Sequence, residues 1–208
     1  MIPLDTLLLF FTTSVLLGLS PGPDNLFVMA QSIQRGPGSG LLVTLGLCTG
    51  LVVHTAAVAF GLAAVFQASA LAFNLLKWVG AGYLLYLAWL AFRAKVDAAE
   101  TSAATALPRG RLYRRGIIMN ITNPKVSVFF LAFLPQFADP ARGPLAVQLL
   151  ILGGIFIVAT ILVFGSVSLL AGAVGERFRR SSRAQIILNR LAGTIFAALA
   201  LKLATVTR

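Results

Sequence analysis

The sequence is poor in charge and poorest in acid: charged residues make up 11% of its 208 positions, and six residues in all are Asp or Glu. It has one cysteine, Cys48, and one histidine, His54. A lone cysteine forms neither an intramolecular disulfide nor a CxxC pair, which excludes dithiol electron transfer and thiolate metal sites. An exporter of inorganic cations, the alternative on a similar scaffold, needs several hard or soft ligands inside the membrane; only Asp24, Cys48 and His54 are placed to serve. There is no nucleophile and base pair, no HExxH and no phosphate-binding loop, so the sequence points to no enzyme and to no cofactor.

Apolar residues fill the space that charge leaves. They account for 58% of the chain, and the mean hydropathy is +0.91, outside the range of soluble domains. We expect an all-α integral membrane protein built as a single transmembrane domain over residues 1–208. Apolar spans fall near Leu4 to Ile33, Leu41 to Phe66, Leu71 to Phe92, Gly116 to Phe137, Leu145 to Val174 and Gln185 to Val206. Each reaches the ~20 residues that a helix needs to cross a bilayer. The N-terminal run has no Lys or Arg ahead of it and no small-residue cleavage site, so it reads as the first span and not as a signal peptide.

The net charge of +11 does not indicate nucleic acid, because Lys and Arg lie mostly between the spans and line no soluble face. They indicate topology instead. The loops after spans one, three and five carry Arg35, then Arg93, Lys95, Arg109, Arg111, Arg114 and Arg115, then Arg177, Arg179, Arg180 and Arg183, whereas those after spans two and four carry only Arg142. Positive loops stay in the cytoplasm, so both termini are expected outside it. Spans three and six share a faint repeat in which a basic residue precedes a glycine by three positions, Lys77 with Gly80 and Arg190 with Gly193. Two three-helix units, residues 1–92 and 116–208 joined by a cytoplasmic loop at 93–115, would insert with opposite orientation, an inverted-repeat plan.

Two spans are interrupted. The first contains SPGPDNLF at residues 20–27 and the fourth contains NITNPKVSVFF from Asn120. Proline removes a helical hydrogen bond, and lipid supplies no substitute, so broken backbone belongs where protein or water surrounds it. Pro21, Gly22 and Pro23 make the first break and Pro124 the second. Each also reads as a new helix start, with Asn123 as N-cap and Pro124 or Pro23 in the first turn, which brings the positive ends of helix dipoles into the membrane.

Asp24 lies eleven residues before Arg35 and Lys125 ten residues after Arg115. Helical rise then puts both ~15 Å from the cytoplasmic surface, near the midplane. Lys125 with the helix N-termini would take a carboxylate and Asp24 an ammonium, the charge pattern of an α-amino acid. Asp24 has a second reading, as the group that carries a coupling proton. The competing structural reading is an Asp24–Lys125 ion pair that merely holds two helices together. Asn25, Asn120 and Asn123 are candidates to contact substrate or to satisfy broken backbone. His54 is a candidate proton relay or an interhelical hydrogen bond, and the GxxxG of Gly46 and Gly50 a close helix contact, internal or between two subunits.

SPGPDNLFV in span one, GYLLYLAWLAFR in span three and ITNPKVSVFFLAFLPQF in span four resemble the LysE/RhtB family of bacterial amino-acid exporters. The resemblance runs from the first span to the sixth. It implies a six-helix, dimeric protein of the inner membrane that moves amino acids out of the cytoplasm against protons. It maps the family's PGP break onto Pro21, Gly22 and Pro23 with Asp24 following, and its NPK motif onto Asn123, Pro124 and Lys125. A cationic substrate would call for another buried carboxylate; the remaining acids, Asp5, Asp97, Glu100, Asp139 and Glu176, fall in loops or at span ends. Neutral amino acids are therefore the expected substrates.

Overall fold

In a computed structural model, residues 2–20, 22–62, 70–93, 108–179 and 182–205 are described, and among them every long element is a helix. Helix α1 spans Leu4–Leu19 and α2 spans Pro23–Arg35; α3 spans Pro37–Ala56 and runs on as a π-helical turn, Ala57–Leu62. Helix α4 is Ala70–Arg93, α5 Arg109–Thr122, α6 Pro124–Phe137, α7 Leu145–Arg179 and α8 Ser182–Thr205.

The local chemistry explains the boundaries. Helix α1 starts after Pro3, with Asp5 in its positively polarised first turn, and ends at Ser20, whose N–H reaches back to the Leu16 carbonyl. The α2–α3 corner is a single residue, Gly36, at φ +84°, a left-handed value suited to glycine, followed at once by Pro37 at a helix start. Helix α6 changes pitch along its length, from α-helical through a π-helical turn at Phe129–Phe133 to a 3-10 turn at Leu134–Phe137.

Among the described residues, two single helices, Pro37–Gly61 and Leu145–Ala171, are long and apolar enough to cross a membrane. Two bent pairs also qualify, α1 with α2 and α5 with α6, the latter bent by 51° at Asn123. Both interruptions expected from the sequence are therefore real breaks between helices, although Pro21 itself lies outside the described residues. One boundary differs from expectation. Helix α5 begins at Arg109, so its first turns take up part of the segment expected to be a loop. Arginine is a good helix former, and hydropathy marks where lipid begins, which need not be where helix begins.

Helix α3 is central, packed on α2, α5 and α7; α4 lies along α8, and α1 along α7. A phenylalanine cluster fills one end of the bundle: Phe10 of α1, Phe129, Phe130, Phe133 and Phe137 of α6, and Phe156 of α7 are all buried, with neighbouring ring centroids 5.0–6.1 Å apart. A smaller core of Val28, Val43, Leu47, Leu112, Val163 and Phe164 occupies the other end. Large apolar side chains such as Phe60, Leu71 and Trp78 are also exposed on the outside, the pattern of a protein whose outer solvent is hydrocarbon.

The GxxxG of α3 is used internally. A Cβ on Gly46 would strike the Tyr113 carbonyl and the Gly116 backbone of α5, and one on Gly116 would strike Val43 O and Gly46 Cα. Close backbone approach of this kind supplies dispersion contacts that lipid cannot replace. Gly46→Leu is expected to destabilise the fold by about 1–3 kcal/mol through overpacking. The readout is the thermal midpoint in detergent, and an unchanged midpoint would contradict this contact.

Candidate functional site

The site forms where the breaks meet. After α1 ends, Ser20 is extended, at ψ 129°, and the last carbonyls of that helix have no next turn to accept from. Lys125, in the first turn of α6, reaches across to them: its Nζ donates to Ser20 O at 3.2 Å, Leu17 O at 3.4 Å and Ser20 Oγ at 3.4 Å. A cation at the negative end of a helix dipole is electrostatically favourable. Gly22 makes room for it, since a Cβ there would lie 3.1 Å from Nζ. The glycine matters for space and not for its backbone angle, which is extended; a larger residue would push the ammonium aside by a few tenths of an ångström.

Asn123 is the N-cap of α6, as expected: its Oδ1 accepts from the Lys125 N–H at 3.0 Å, with Pro124 following in the first turn. Its other amide atom, Nδ2, is buried with no hydrogen-bond partner. Asn120 is one turn earlier, at the end of α5; its carbonyl accepts from the Asn123 N–H and lies 3.3 Å from His54 Nε2 of α3. Its side chain sits against Gly50, where a Cβ would displace it, and its Oδ1 is buried and unpartnered.

Asp24, in the first turn of α2, completes the group. It is 5% exposed; the side-chain amides of Asn123 and Asn120 face its carboxylate within hydrogen-bonding influence, and Lys125 acts on it through charge. Its Oδ1 has no hydrogen-bond partner. Its carboxylate makes no ion-pair contact within 4 Å with the Lys125 ammonium, unlike Arg142 and Asp139 in the loop before α7, which pair at 3.0 Å. The two charges act on each other from beyond contact distance. The group thus gathers a carboxylate, two amides and an ammonium, and Asp24 Oδ1, Asn120 Oδ1 and Asn123 Nδ2 each lack a well-formed hydrogen bond, which leaves them capacity for the polar atoms of a small solute.

The remaining sequence candidates separate by role. Asn25 spans the first break, its Nδ2 donating to Gly18 O at 2.8 Å, so it splints the backbone on that side. His54 makes the interhelical hydrogen bond with Asn120, and its ring packs on Phe130 at 5.5 Å. Ser20 was not singled out by sequence reasoning, though it stands beside the proline motif; its contact with Lys125 spans 105 residues of chain and has no local signal.

Comparison with known proteins agrees with this architecture. A family model described as LysE type translocator matches residues 15–207. The homoserine/homoserine lactone efflux protein of Salmonella typhimurium is 38% identical over 187 residues, covering 90% of each chain. An uncharacterized membrane protein of Vibrio cholerae is 33% identical over 198 residues, 95% of this chain and 96% of the other. The leucine efflux protein of Salmonella typhimurium is 27% identical over 197 residues, 94% of this chain and 93% of its own. No solved structure matches the chain.

Proposed function

Since the chain belongs to the LysE type translocator family, we propose that it is a secondary transporter that exports amino acids from the cytoplasm, neutral ones such as homoserine or leucine, in exchange for protons. The observation that carries this reading is the cluster of Asp24, Asn120, Asn123 and Lys125 at two helix breaks in an apolar bundle, with Asp24 Oδ1, Asn120 Oδ1 and Asn123 Nδ2 buried and lacking a well-formed hydrogen bond. The substrate ammonium is assigned to Asp24 and the acceptor Oδ1 of Asn120, and its carboxylate to Nδ2 of Asn123 and the N-terminal N–H groups of α2. Lys125, on α6, adds positive potential from its place against the end of α1. A neutral side chain fits because Asp24 is the carboxylate at this group.

The same proposal covers the membrane arrangement: six spans in the bacterial inner membrane, both termini outside the cytoplasm. An inverted repeat is supported by the packing, in which α3 lies on α7, α4 on α8, and α5 meets α3 as α1 meets α7, the pairings that a two-fold axis would generate. A homodimer is proposed from family resemblance alone, because the GxxxG contact is internal.

Purified protein in proteoliposomes loaded with the twenty amino acids and homoserine, with and without an imposed pH gradient, tests substrate and coupling together. Efflux of one or a few neutral amino acids, accelerated by the gradient, is expected; retention of all of them would sink the proposal. Orientation is tested by Ser102→Cys, outside the described residues, on a Cys48→Ser background. Labelling of intact cells by an impermeant thiol reagent would reverse the assigned topology.

A further inference from the structure

Helix α2 buries Asp24, Val28, Gln31 and Ser32. Asp24, Val28 and Gln31 follow the i, i+4, i+7 spacing of one helical face, so Gln31 lies on the face that carries Asp24, ~10 Å further along the helix. It is displaced toward Arg35, the end assigned to the cytoplasm. Ser32 satisfies itself by donating to Val28 O at 2.8 Å. Gln31 does not: it is 2% exposed, and its Oε1 is buried with no hydrogen-bond partner.

A second buried glutamine shows what a structural role looks like in this protein. Gln148, 4% exposed at the start of α7, accepts from Asp139 N–H at 3.0 Å and donates to Asp139 O at 2.8 Å and Gly143 O at 3.0 Å, tying down the preceding loop. Gln31 fastens nothing in this way. A buried amide without partners opposes folding, and an apolar side chain of the same length would remove that opposition. An unpaired amide on the transport-site face is instead chemically suited to a solute in passage.

We propose that Gln31 is a second binding station for the substrate zwitterion, on the cytoplasmic approach to the Asp24–Lys125 site. This inference rests on the exporter reading. The neutral amide presents a carbonyl to an ammonium and N–H groups to a carboxylate, so it holds either end of an amino acid without the full charge that would trap it. Weak intermediate sites of this kind let a solute give up water in steps and still move on.

The test uses everted membrane vesicles, whose outer surface is the cytoplasmic face, and uptake of labelled L-homoserine and L-leucine. Gln31→Met conserves length and volume while removing the amide. It is expected to raise KM ~10-fold, equivalent to ~1.4 kcal/mol of binding, with the thermal midpoint unchanged or higher. Gln31→Asn, which keeps the amide on a shorter stem, should fall between Gln31→Met and wild type. A lowered midpoint in Gln31→Met would make Gln31 structural and overturn the inference, as would an unchanged KM. If the wild type, with its folding intact, takes up neither of these nor any other of the twenty amino acids, the exporter reading fails and this inference falls with it; normal wild-type uptake with no effect of Gln31→Met leaves that reading standing and removes only this station.

Discussion

Lys125→Ala is expected to reduce efflux by at least ~100-fold, the equivalent of about 2.7 kcal/mol, while the protein still inserts and purifies. The ammonium makes three contacts with the end of α1, at Leu17 O, Ser20 O and Ser20 Oγ. Hydrogen bonds to a charged group contribute roughly 1.5–3 kcal/mol each in favourable settings, and removing the donor leaves buried carbonyls without partners. Losing them should let the two breaks separate, taking Asn123 and Asp24 out of register. Lys125→Arg keeps the charge but places a planar fork where the space beside Gly22 fits a compact ammonium, so it should recover only part of the activity. Rates measured in proteoliposomes, beside the thermal midpoint of each variant, separate loss of site geometry from loss of fold. Wild-type efflux by Lys125→Ala would mean that the contact with α1 has no part in transport.

The breaks were legible because their chemistry is local. Proline, asparagine and charge within an apolar run conflict with an uninterrupted span wherever the rest of the chain goes, and the structure places helix ends at Leu19 and Thr122. The Asn123 cap was legible for the same reason, since its bond reaches only two residues ahead. What stayed hidden depends on packing between distant segments. That Lys125 donates to the carbonyl end of α1 is decided by where α6 lies relative to α1. Whether Gly46 and Gly50 contact a helix of the same chain or of another subunit is decided by α5, which offers Gly116 and Asn120 at matching spacing. Gln31 was overlooked because a polar residue close to Arg35 in a helix end is ordinarily solvated; only the packing of α2 against α3 and α7 makes its burial informative.

Asp24→Asn should abolish net, gradient-driven efflux, a loss of ~100-fold or more, and should leave stability unchanged or improved. The substitution is almost isosteric, so packing around the 5%-exposed side chain is kept and only the charge is removed. Oδ1 receives no well-formed hydrogen bond and the carboxylate makes no ion-pair contact, and burial opposes its charge more than Asn123, Lys125 and Asn120 support it, so the fold has little to lose by its neutralisation. For transport the two roles of the carboxylate make different demands. If it holds the substrate ammonium, Asp24→Asn weakens binding itself, and exchange of labelled for unlabelled amino acid across the membrane falls together with net efflux. If it carries the coupling proton, the site still takes substrate, exchange persists, and only the response to an imposed pH gradient disappears. Measuring exchange and net efflux on the same vesicles therefore assigns the role, and retention of gradient-driven efflux at the wild-type rate would remove Asp24 from the mechanism altogether.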